Sequence, residues 1–335
     1  MPFGATILDP TGPVLSPEEK RFFRDADPYG FILFARHIET AEQVRALCAD
    51  LRDSVGRNAP ILLDQEGGRV QRLRPPLGRQ WDDPLPFVNR SSDPEQAMFL
   101  RYAIIASEMR ALGIDVDCAP LVDVADPDTH PFLRDRCYGM EPAAVARLGR
   151  AVAMGLLAGG VLPVVKHMPG HGRARADSHK ELPRVTASLD QLNQVDFAPF
   201  KVLNDLPMAM TAHIVYEALD DTVPATLSPR AMQVIRNDIG FDNLVMTDDI
   251  SMKALSGSLP EITVDALAAG CDVILLCNAA LEDRRAVAEA AGRMSPSAQV
   301  RAERALDPRP ETAPALDIVE MEAKLSALVD GPLYG

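Results

Sequence analysis

The chain has 335 residues, of which 47% are hydrophobic and 24% charged, the composition of an ordinary globular protein with a large core. Its formal net charge of −14 argues against nucleic acid or an anionic membrane surface as a partner, because both attract basic patches. The amino-terminal residues lack the charged start and apolar core of a signal peptide, and no run of about 18 apolar residues occurs, so we expect no membrane span.

Eight short apolar runs predict buried β-strands along the chain. The runs are continuous rather than alternating, which favours parallel strands covered on both faces. The predicted strands are Ala5–Leu8, Gly30–Phe34, Ile61–Asp64, Ile114–Ala119, Val161–Lys166, Met208–His213, Leu244–Thr247 and Asp272–Cys277.

Helix signals separate most of these strands. Ser16, Thr40, Asp93 and Ser228 each precede a helical pattern as candidate N-caps. Glycines at positions 113, 160, 240 and 270 stand between a helical run and a strand, where a left-handed residue ends the helix. Alternation in units of about 30–40 residues indicates βα units. We therefore predict a single-domain (β/α)8 TIM-like barrel over residues 1–335, with an open doubly wound sheet as the alternative.

Two proline-rich stretches interrupt the alternation, at residues 67–92 and 124–141. Both follow predicted strands, which is where barrel enzymes carry functional loops. Pro308–Pro314 reads as a linker to a last helix, about Leu316–Leu328.

Polar residues stand at the carboxyl ends of the predicted strands, and in a barrel these ends converge on one face. Strand ends are also simply where polar loops begin, so each residue alone has a structural interpretation. The set comprises Asp64, Glu66, Asp123, Lys166, His167, His213, Asp248 and Asp249.

Acid–base chemistry is predicted for the loop 170–183, which carries Asp177 and His179. A carboxylate two residues from an imidazole can orient it and raise its pKa toward the range useful for proton transfer. Asp248 could act as a nucleophile or stabilise an oxocarbenium-like centre, although either Asp248 or Asp249 could instead cap a helix.

A metal site is the alternative for the same region, because His167, His171, Asp177 and His179 are zinc-compatible residues. The intervening Pro169-Gly170 prevents a helix that would bring His167 and His171 onto one face, so we expect no metal. The five cysteines are scattered and form no CxxC pair, which indicates reduced thiols and a cytoplasmic location.

Five motifs in order along the chain resemble one enzyme family. They are Lys166–Gly172 (KHMPGHG), Asp177–Pro183 (DSHKELP), Asp64–Arg72 (DQEGGRVQR), Met210–Ile214 (MTAHI) and Thr247–Met252 (TDDISM). Together they are similar to the signature of glycoside hydrolase family 3, in its bacterial β-N-acetylhexosaminidase branch. The resemblance runs from about residue 5 to 280.

The resemblance implies a role for each matched residue. Asp248 matches the catalytic nucleophile, His179 the general acid/base, and Asp177 the carboxylate that orients His179. Positions implied to hold an N-acetylglucosamine ring are Asp64, Arg72, Arg136, Lys166 and His167. The sequence around Arg136 departs from the family motif, so Arg134 is an alternative for that role. No cofactor or metal is implied.

The resemblance also implies a substrate and a setting. The expected reaction is retaining exo-hydrolysis of terminal β-linked N-acetylglucosamine from small peptidoglycan-derived 1,6-anhydromuropeptides, in cytoplasmic cell-wall recycling by a monomer. Three alternatives remain open: a β-glucosidase of the same family, a metal-dependent barrel hydrolase, and a non-catalytic sugar-binding protein.

Overall fold

The computed structural model describes residues 1–175 and 182–334, and it contains one parallel sheet of eight strands. In chain order these strands are β1 (Gly4–Leu8), β2 (Pro28–Ile32), β3 (Ile61–Leu63), β4 (Val116–Asp117), β5 (Leu162–Met168), β6 (Met208–Thr211), β7 (Leu244–Met246) and β8 (Ile274–Leu276).

The sheet closes on itself into a barrel. Each strand from β1 to β6 pairs in parallel with the strand that follows it in the chain, and β8 pairs in parallel with β1. A parallel bridge between Met246 and Val273, with a 3.1 Å hydrogen bond from Thr247 N to Val273 O, joins β7 to β8. The (β/α)8 prediction is therefore confirmed, and the open doubly wound sheet is wrong.

Thirteen α-helices occur in the described part of the chain, and most lie between the strands. They are α1 (Pro17–Ala26), α2 (Ala41–Val55), α3 (Pro84–Asn89), α4 (Pro94–Ala111), α5 (Pro131–Arg134), α6 (Pro142–Ala158), α7 (Leu189–Gln191), α8 (Ala198–Val202), α9 (Pro229–Gln233), α10 (Leu259–Ala269), α11 (Leu281–Ala291), α12 (Pro296–Leu306) and α13 (Ile318–Leu328). None of the described helices is both long and apolar enough to cross a membrane.

The predicted helix signals act as expected. The side chains of Ser16, Thr40, Asp93 and Ser228 each accept a backbone N–H in the first turn of α1, α2, α4 and α9. The glycines at 113, 160, 240 and 270 all have φ between +78° and +117°, a backbone conformation that costs glycine little. Local sequence thus determines where these elements begin and end.

The stretches expected to be irregular contain more structure than predicted. A short antiparallel pair, Gln65–Gly67 with Val70–Gln71, begins the first stretch, and α3 lies near its end. The second stretch contains α5. Such elements of two to six residues are too short to leave a periodic pattern.

Side chains along the strands alternate between two packed layers. Val164 of β5 belongs to the cluster inside the barrel, whereas its neighbour Val165 packs in the layer beneath the helices. Alanines of α12, including Ala298 and Ala302, join the interior cluster, and Ala302 O accepts from the Tyr29 hydroxyl near the start of β2. Helix α12 therefore covers the amino-terminal end of the barrel, so the open end is the carboxyl-terminal one.

Candidate active site

A cavity of about 520 Å³ lies at the carboxyl-terminal end of the barrel. Residues from the ends of six strands and from two following loops line it, and they include most of the predicted strand-end set. The lining comprises Ile32, Phe34, Ala35, Arg36, Asp64, Arg69, Val70, Arg72, Phe132, Leu133, Arg136, Lys166, His167, His171, Met210, Asp248, Asp249, Met252, Leu275, Cys277 and Asn278.

Lys166 occupies the centre of a charged network on the inner wall. It is 2% exposed, and its Nζ lies 3.2 Å from Asp64 Oδ1 and 2.6 Å from Glu66 Oε1. Burial alone would lower the pKa of Lys166, but the two carboxylates outweigh burial and raise it. The ammonium group therefore stays charged in the cavity wall.

Two arginines complete this network. Arg72 Nη2 donates to Asp64 Oδ2 at 2.9 Å, and Arg136 donates from Nε and Nη2 to the two oxygens of Glu66 at 2.9 and 2.8 Å. Burial raises the carboxyl pKa values of Asp64 and Glu66, but the neighbouring cations more than offset it and lower both, that of Glu66 to about 2. Both carboxylates are therefore ionised.

The structure distinguishes between the two competing arginines. Helix α5 ends at Arg134, whose guanidinium turns away to the carbonyls of Pro127 and Thr129. Arg136, two residues later, is buried and lines the cavity. Of the two arginines, Arg136 is therefore the one that lines the cavity, and its contact with a sugar stays a prediction.

Gly67, next to Glu66, leaves room for the Arg101 side chain to hydrogen-bond the backbone at this point. Gly67 has φ +106°, and a β-carbon there would collide with the guanidinium of Arg101. Arg101 Nη2 instead donates to the Glu66 and Asp82 carbonyls, both at 2.7 Å. The DQEGG sequence is thus the local requirement for placing Glu66 under Lys166.

His167 is fixed by the buried carboxylate of Asp123. Its Nδ1 lies 2.8 Å from Asp123 Oδ2, while Asp123 Oδ1 accepts the backbone N–H groups of His167 at 3.2 Å and His171 at 2.6 Å. Burial raises the pKa of Asp123, but the adjacent imidazole and N–H groups lower it overall. Since Nδ1 is engaged, the Nε2 edge of His167 is the one left to face the cavity.

Asp248 lies two residues beyond the end of β7 and contributes its carboxylate to the cavity. Its Oδ1 accepts the backbone N–H of Asp249 at 2.8 Å. Burial raises its pKa, but the nearby imidazoles of His213 and His167 together with Lys166 lower it below the usual value. A half-buried, ionised carboxylate that lines a cavity is a chemically competent nucleophile.

Neither aspartate caps a helix, because α10 begins at Leu259 with Ser258 as its N-cap; Asp249 instead holds the turn after β7. Its Oδ1 accepts from Ser251 N at 3.0 Å and Cys277 N at 3.1 Å, and its carbonyl lies 3.1 Å from His213 Nε2. The same residue therefore ties the loop after β7 to the end of β8 and to His213. This arrangement fixes the neighbouring carboxylate of Asp248 in position.

Asp177 and His179 lie outside the described residues, so the structure does not test their predicted roles. Among the described residues, no group of three or more His, Cys, Asp or Glu side chains is arranged to hold a metal ion. Sequence reasoning missed several lining residues, and the available signal was their position at the end of a predicted strand or in the loop that follows it. These are Phe34, Arg36, Phe132, Met252 and Asn278.

Comparisons with known proteins agree with the fold and the motifs. The family described as the glycosyl hydrolase family 3 N-terminal domain matches residues 16–305. The β-hexosaminidase of Alkalilimnicola ehrlichii is 38% identical over 291 residues, spanning 83% of this chain and 82% of that protein. The β-hexosaminidase of Bordetella avium is 35% identical over 294 residues, spanning 83% and 81%.

Two solved structures show the same architecture. NagZ from Neisseria gonorrhoeae, in complex with N-trifluoroacetyl-D-glucosamine, has a TM-score of 0.79 at 28% identity and covers 99% of both chains. A family 3 β-N-acetylglucosaminidase from Paenibacillus has a TM-score of 0.85 at 29% identity, covering 96% of this chain and 67% of that one. The chain is a glycoside hydrolase that belongs to glycosyl hydrolase family 3.

Proposed function

We propose that this protein is a retaining exo-β-N-acetylhexosaminidase, formed by one domain over residues 1–335. The observation that carries the proposal is the placement of Asp248, an ionised, half-buried carboxylate opposite a wall of fixed cations and carboxylates in a cavity of sugar-binding size. The names of the β-hexosaminidase relatives support the choice of substrate class.

The reaction begins with attack of Asp248 on the anomeric carbon of the bound sugar. His179, oriented by Asp177, protonates the departing glycosidic oxygen, which leaves a covalent glycosyl-enzyme. His179 then removes a proton from water, whose attack on the same carbon releases the sugar with its configuration retained. The three residues are assigned these roles from the sequence motifs, with the geometry of Asp248 in support.

The inner wall is suited to holding the hydroxyl groups of the terminal ring. Asp64 supplies acceptor oxygens, while Lys166, Arg72, Arg136 and His167 supply donors whose positions are already fixed by ion pairs. Donors held in place lose little freedom when the sugar binds, so the ring can be oriented for attack at low entropic cost.

The finer substrate proposal is a peptidoglycan fragment that ends in β-linked N-acetylglucosamine on a 1,6-anhydro-N-acetylmuramyl unit. The N-acetylglucosamine part is supported by the structural neighbour that was solved with N-trifluoroacetyl-D-glucosamine. We propose that the enzyme acts as a monomer in the cytoplasm, in cell-wall recycling, without a metal or cofactor.

Hydrolysis of 4-nitrophenyl β-N-acetylglucosaminide tests this function, with 4-nitrophenyl β-glucoside as the comparison substrate. The wild type should prefer the N-acetylglucosaminide; Asp248→Ala should abolish turnover, and His179→Ala should lower it by roughly 10²–10⁴-fold. Asp265→Ala, which removes an exposed carboxylate on α10, is the matched control and should keep full activity.

Product analysis separates the nucleophile role from a general loss of structure. Azide added to Asp248→Gly should restore release of nitrophenol and give the α-glycosyl azide, because the small anion attacks from the face vacated by the carboxylate. Unchanged turnover in Asp248→Ala would exclude the assigned nucleophile. Loss of wild-type activity on dialysis against a chelator, restored by zinc, would favour the metal-dependent alternative.

A further inference from the structure

The proposed mechanism leaves one wall of the cavity unused. This wall is formed at the carboxyl ends of three adjacent strands, β8, β1 and β2, which carry Asn278, Asp9 and Arg36 respectively. Arg36 and Asn278 line the cavity, and Asp9 lies fully buried behind them.

Arg36 is held in place from both sides. One terminal nitrogen donates to the Asp9 carboxylate and the other to the Asn278 side-chain oxygen, and its guanidinium lies 5.0 Å from the centre of the Phe34 ring. Asp9 Oδ2 also accepts the Asn278 backbone N–H at 3.0 Å. The side chain is therefore pre-positioned although it is 37% exposed.

The charges in this wall do not balance. Asp9 also accepts from Arg284 Nε at 3.0 Å, and Arg284 is 2% exposed. One carboxylate thus stands against two guanidinium groups, and the excess positive charge lies on the exposed member, Arg36. In a chain of net charge −14, a cation held at the rim of a cavity creates a local field that attracts anions.

Arg36 also has hydrogen-bonding capacity to spare. A guanidinium has five N–H donors, and among the described residues Asp9 and Asn278 are the acceptors of two of them. Its exposed edge and fixed plane suit a carboxylate, which accepts two parallel N–H bonds.

The position of Arg36 indicates which part of a ligand it meets. The inner cations Lys166 and Arg136 are nearly inaccessible to solvent, so the terminal ring that they hold occupies the deep end of the cavity. Whatever is attached beyond the glycosidic bond must extend toward the mouth, where Arg36 is exposed.

We propose that Arg36, fixed by Asp9 and Asn278, forms a leaving-group subsite that selects aglycones carrying a carboxylate near the glycosidic bond. The inference rests on the proposed function, because it assigns the aglycone side of the same reaction. It adds a specificity residue that acts on substrate binding and transition-state positioning and leaves bond cleavage to other groups.

The test compares two chromogenic substrates that differ in one charge. These are 3-carboxy-4-nitrophenyl β-N-acetylglucosaminide and its methyl ester, with kcat/KM measured for each enzyme. Arg36→Gln should lower the carboxylate-to-ester ratio of kcat/KM by roughly fivefold relative to wild type, because it removes a charge-assisted contact at a partly exposed site. Arg36→Lys, which keeps the charge, should recover part of that ratio.

Arg285→Gln is the matched control, since it removes the same charge from an exposed arginine on α11 that pairs with Glu18. Its ratio should equal that of wild type. Equal losses on both substrates in Arg36→Gln, or a similar change in Arg285→Gln, would overturn the subsite. Absence of wild-type turnover on both substrates would instead count against the proposed function itself.

Two disaccharide substrates identify the source of the carboxylate. One is N-acetylglucosaminyl-1,6-anhydro-N-acetylmuramic acid with a free lactyl carboxylate, and the other bears a peptide on that group. A larger Arg36→Gln loss on the free acid assigns the contact to the lactyl carboxylate, and a larger loss on the peptide form assigns it to the peptide. If Arg36→Gln hydrolysed both disaccharides as fast as the wild type does, the proposed subsite would be contradicted.

Discussion

The two ends of the barrel each contain a carboxylate surrounded by cations, but the surroundings differ. At the amino-terminal end, Asp115 lies 2.9 Å from Arg52 and Arg309 and 3.7 Å from Arg110, and its Oδ1 accepts Ile61 N at 2.8 Å. Asp115 itself is 1% exposed, and its partners come from α2, α4 and the segment after α12. Its acceptor capacity is taken up by the protein.

At the carboxyl-terminal end, Asp64, Glu66 and Lys166 form an equally dense cluster, yet this one faces a cavity. Here the cations hold both carboxylates ionised, and Asp64 and Lys166 line the cavity while Glu66 is buried beside them. The same type of ion pairing therefore stabilises the fold at one end and prepares a binding surface at the other. This division agrees with the general placement of stability and catalysis on opposite faces of such barrels.

Replacing Lys166, the central cation of the carboxyl-terminal cluster, should lower activity much more than stability. We expect Lys166→Met to lower kcat/KM by roughly 10³-fold, because the sugar loses a fixed donor and two like charges are left adjacent. The loss of stability should be smaller than at Asp115, since Asp64 keeps Arg72 and Glu66 keeps Arg136. Steady-state kinetics and thermal unfolding on the same preparation measure both quantities.

At the amino-terminal cluster around Asp115, we expect a loss of stability with little loss of activity. Asp115→Asn should cost about 3 kcal/mol of unfolding free energy, because three partly buried arginines lose their counter-ion. Its kcat/KM should stay within about twofold of wild type, since no lining residue is touched. Urea denaturation gives the free energy, and Asp242→Asn, at an exposed ion pair with Arg301, is the control with an expected loss below about 1 kcal/mol. Similar activity losses in Lys166→Met and Asp115→Asn would remove the distinction between the two ends.

The sequence predicted the carboxyl-terminal cluster better than the amino-terminal one, for a physical reason. Residues at strand ends follow directly from the apolar pattern, and a barrel brings such ends together whatever the loops do. Asp64, Lys166 and Asp248 could therefore be placed on one face before the fold was known. The amino-terminal cluster depends on Arg52, Arg110 and Arg309, which stand in unrelated parts of the chain and give no local signal.

Other features depended on contacts between distant segments. Arg136 rather than Arg134 lines the cavity because α5 ends at Arg134, and the two residues are only two positions apart in the chain. The Arg36 wall needs Asp9 and Arg284, which are 275 residues apart in sequence, so no motif could reveal it. From the sequence alone, Gly67 resembles an ordinary turn residue, because the close approach of Arg101 to it gives no local signal. Chemistry at strand ends is thus readable from one sequence, whereas its supporting contacts are not.

Asp117 sharpens the comparison, because it lies at the carboxyl end of β4 but does not line the cavity. Its Oδ1 accepts Gln65 N at 3.0 Å, and burial, opposed by that bond and by Lys166, raises its pKa to about 8. An acid with a raised folded-state pKa stabilises the fold fully below its unfolded pKa, near 3.8, and this contribution is lost as pH rises through about 8.

Asp117→Asn removes this titration while keeping an oxygen for Gln65 N. The variant should therefore gain stability relative to wild type as pH increases, with the difference growing by at least about 1 kcal/mol between about pH 5 and pH 8. Urea denaturation at a series of pH values measures the difference. A constant difference across that range would show that Asp117 is already ionised in the folded protein, and it would then belong with the charged carboxylates Asp64 and Glu66 rather than with the structural framework beneath them.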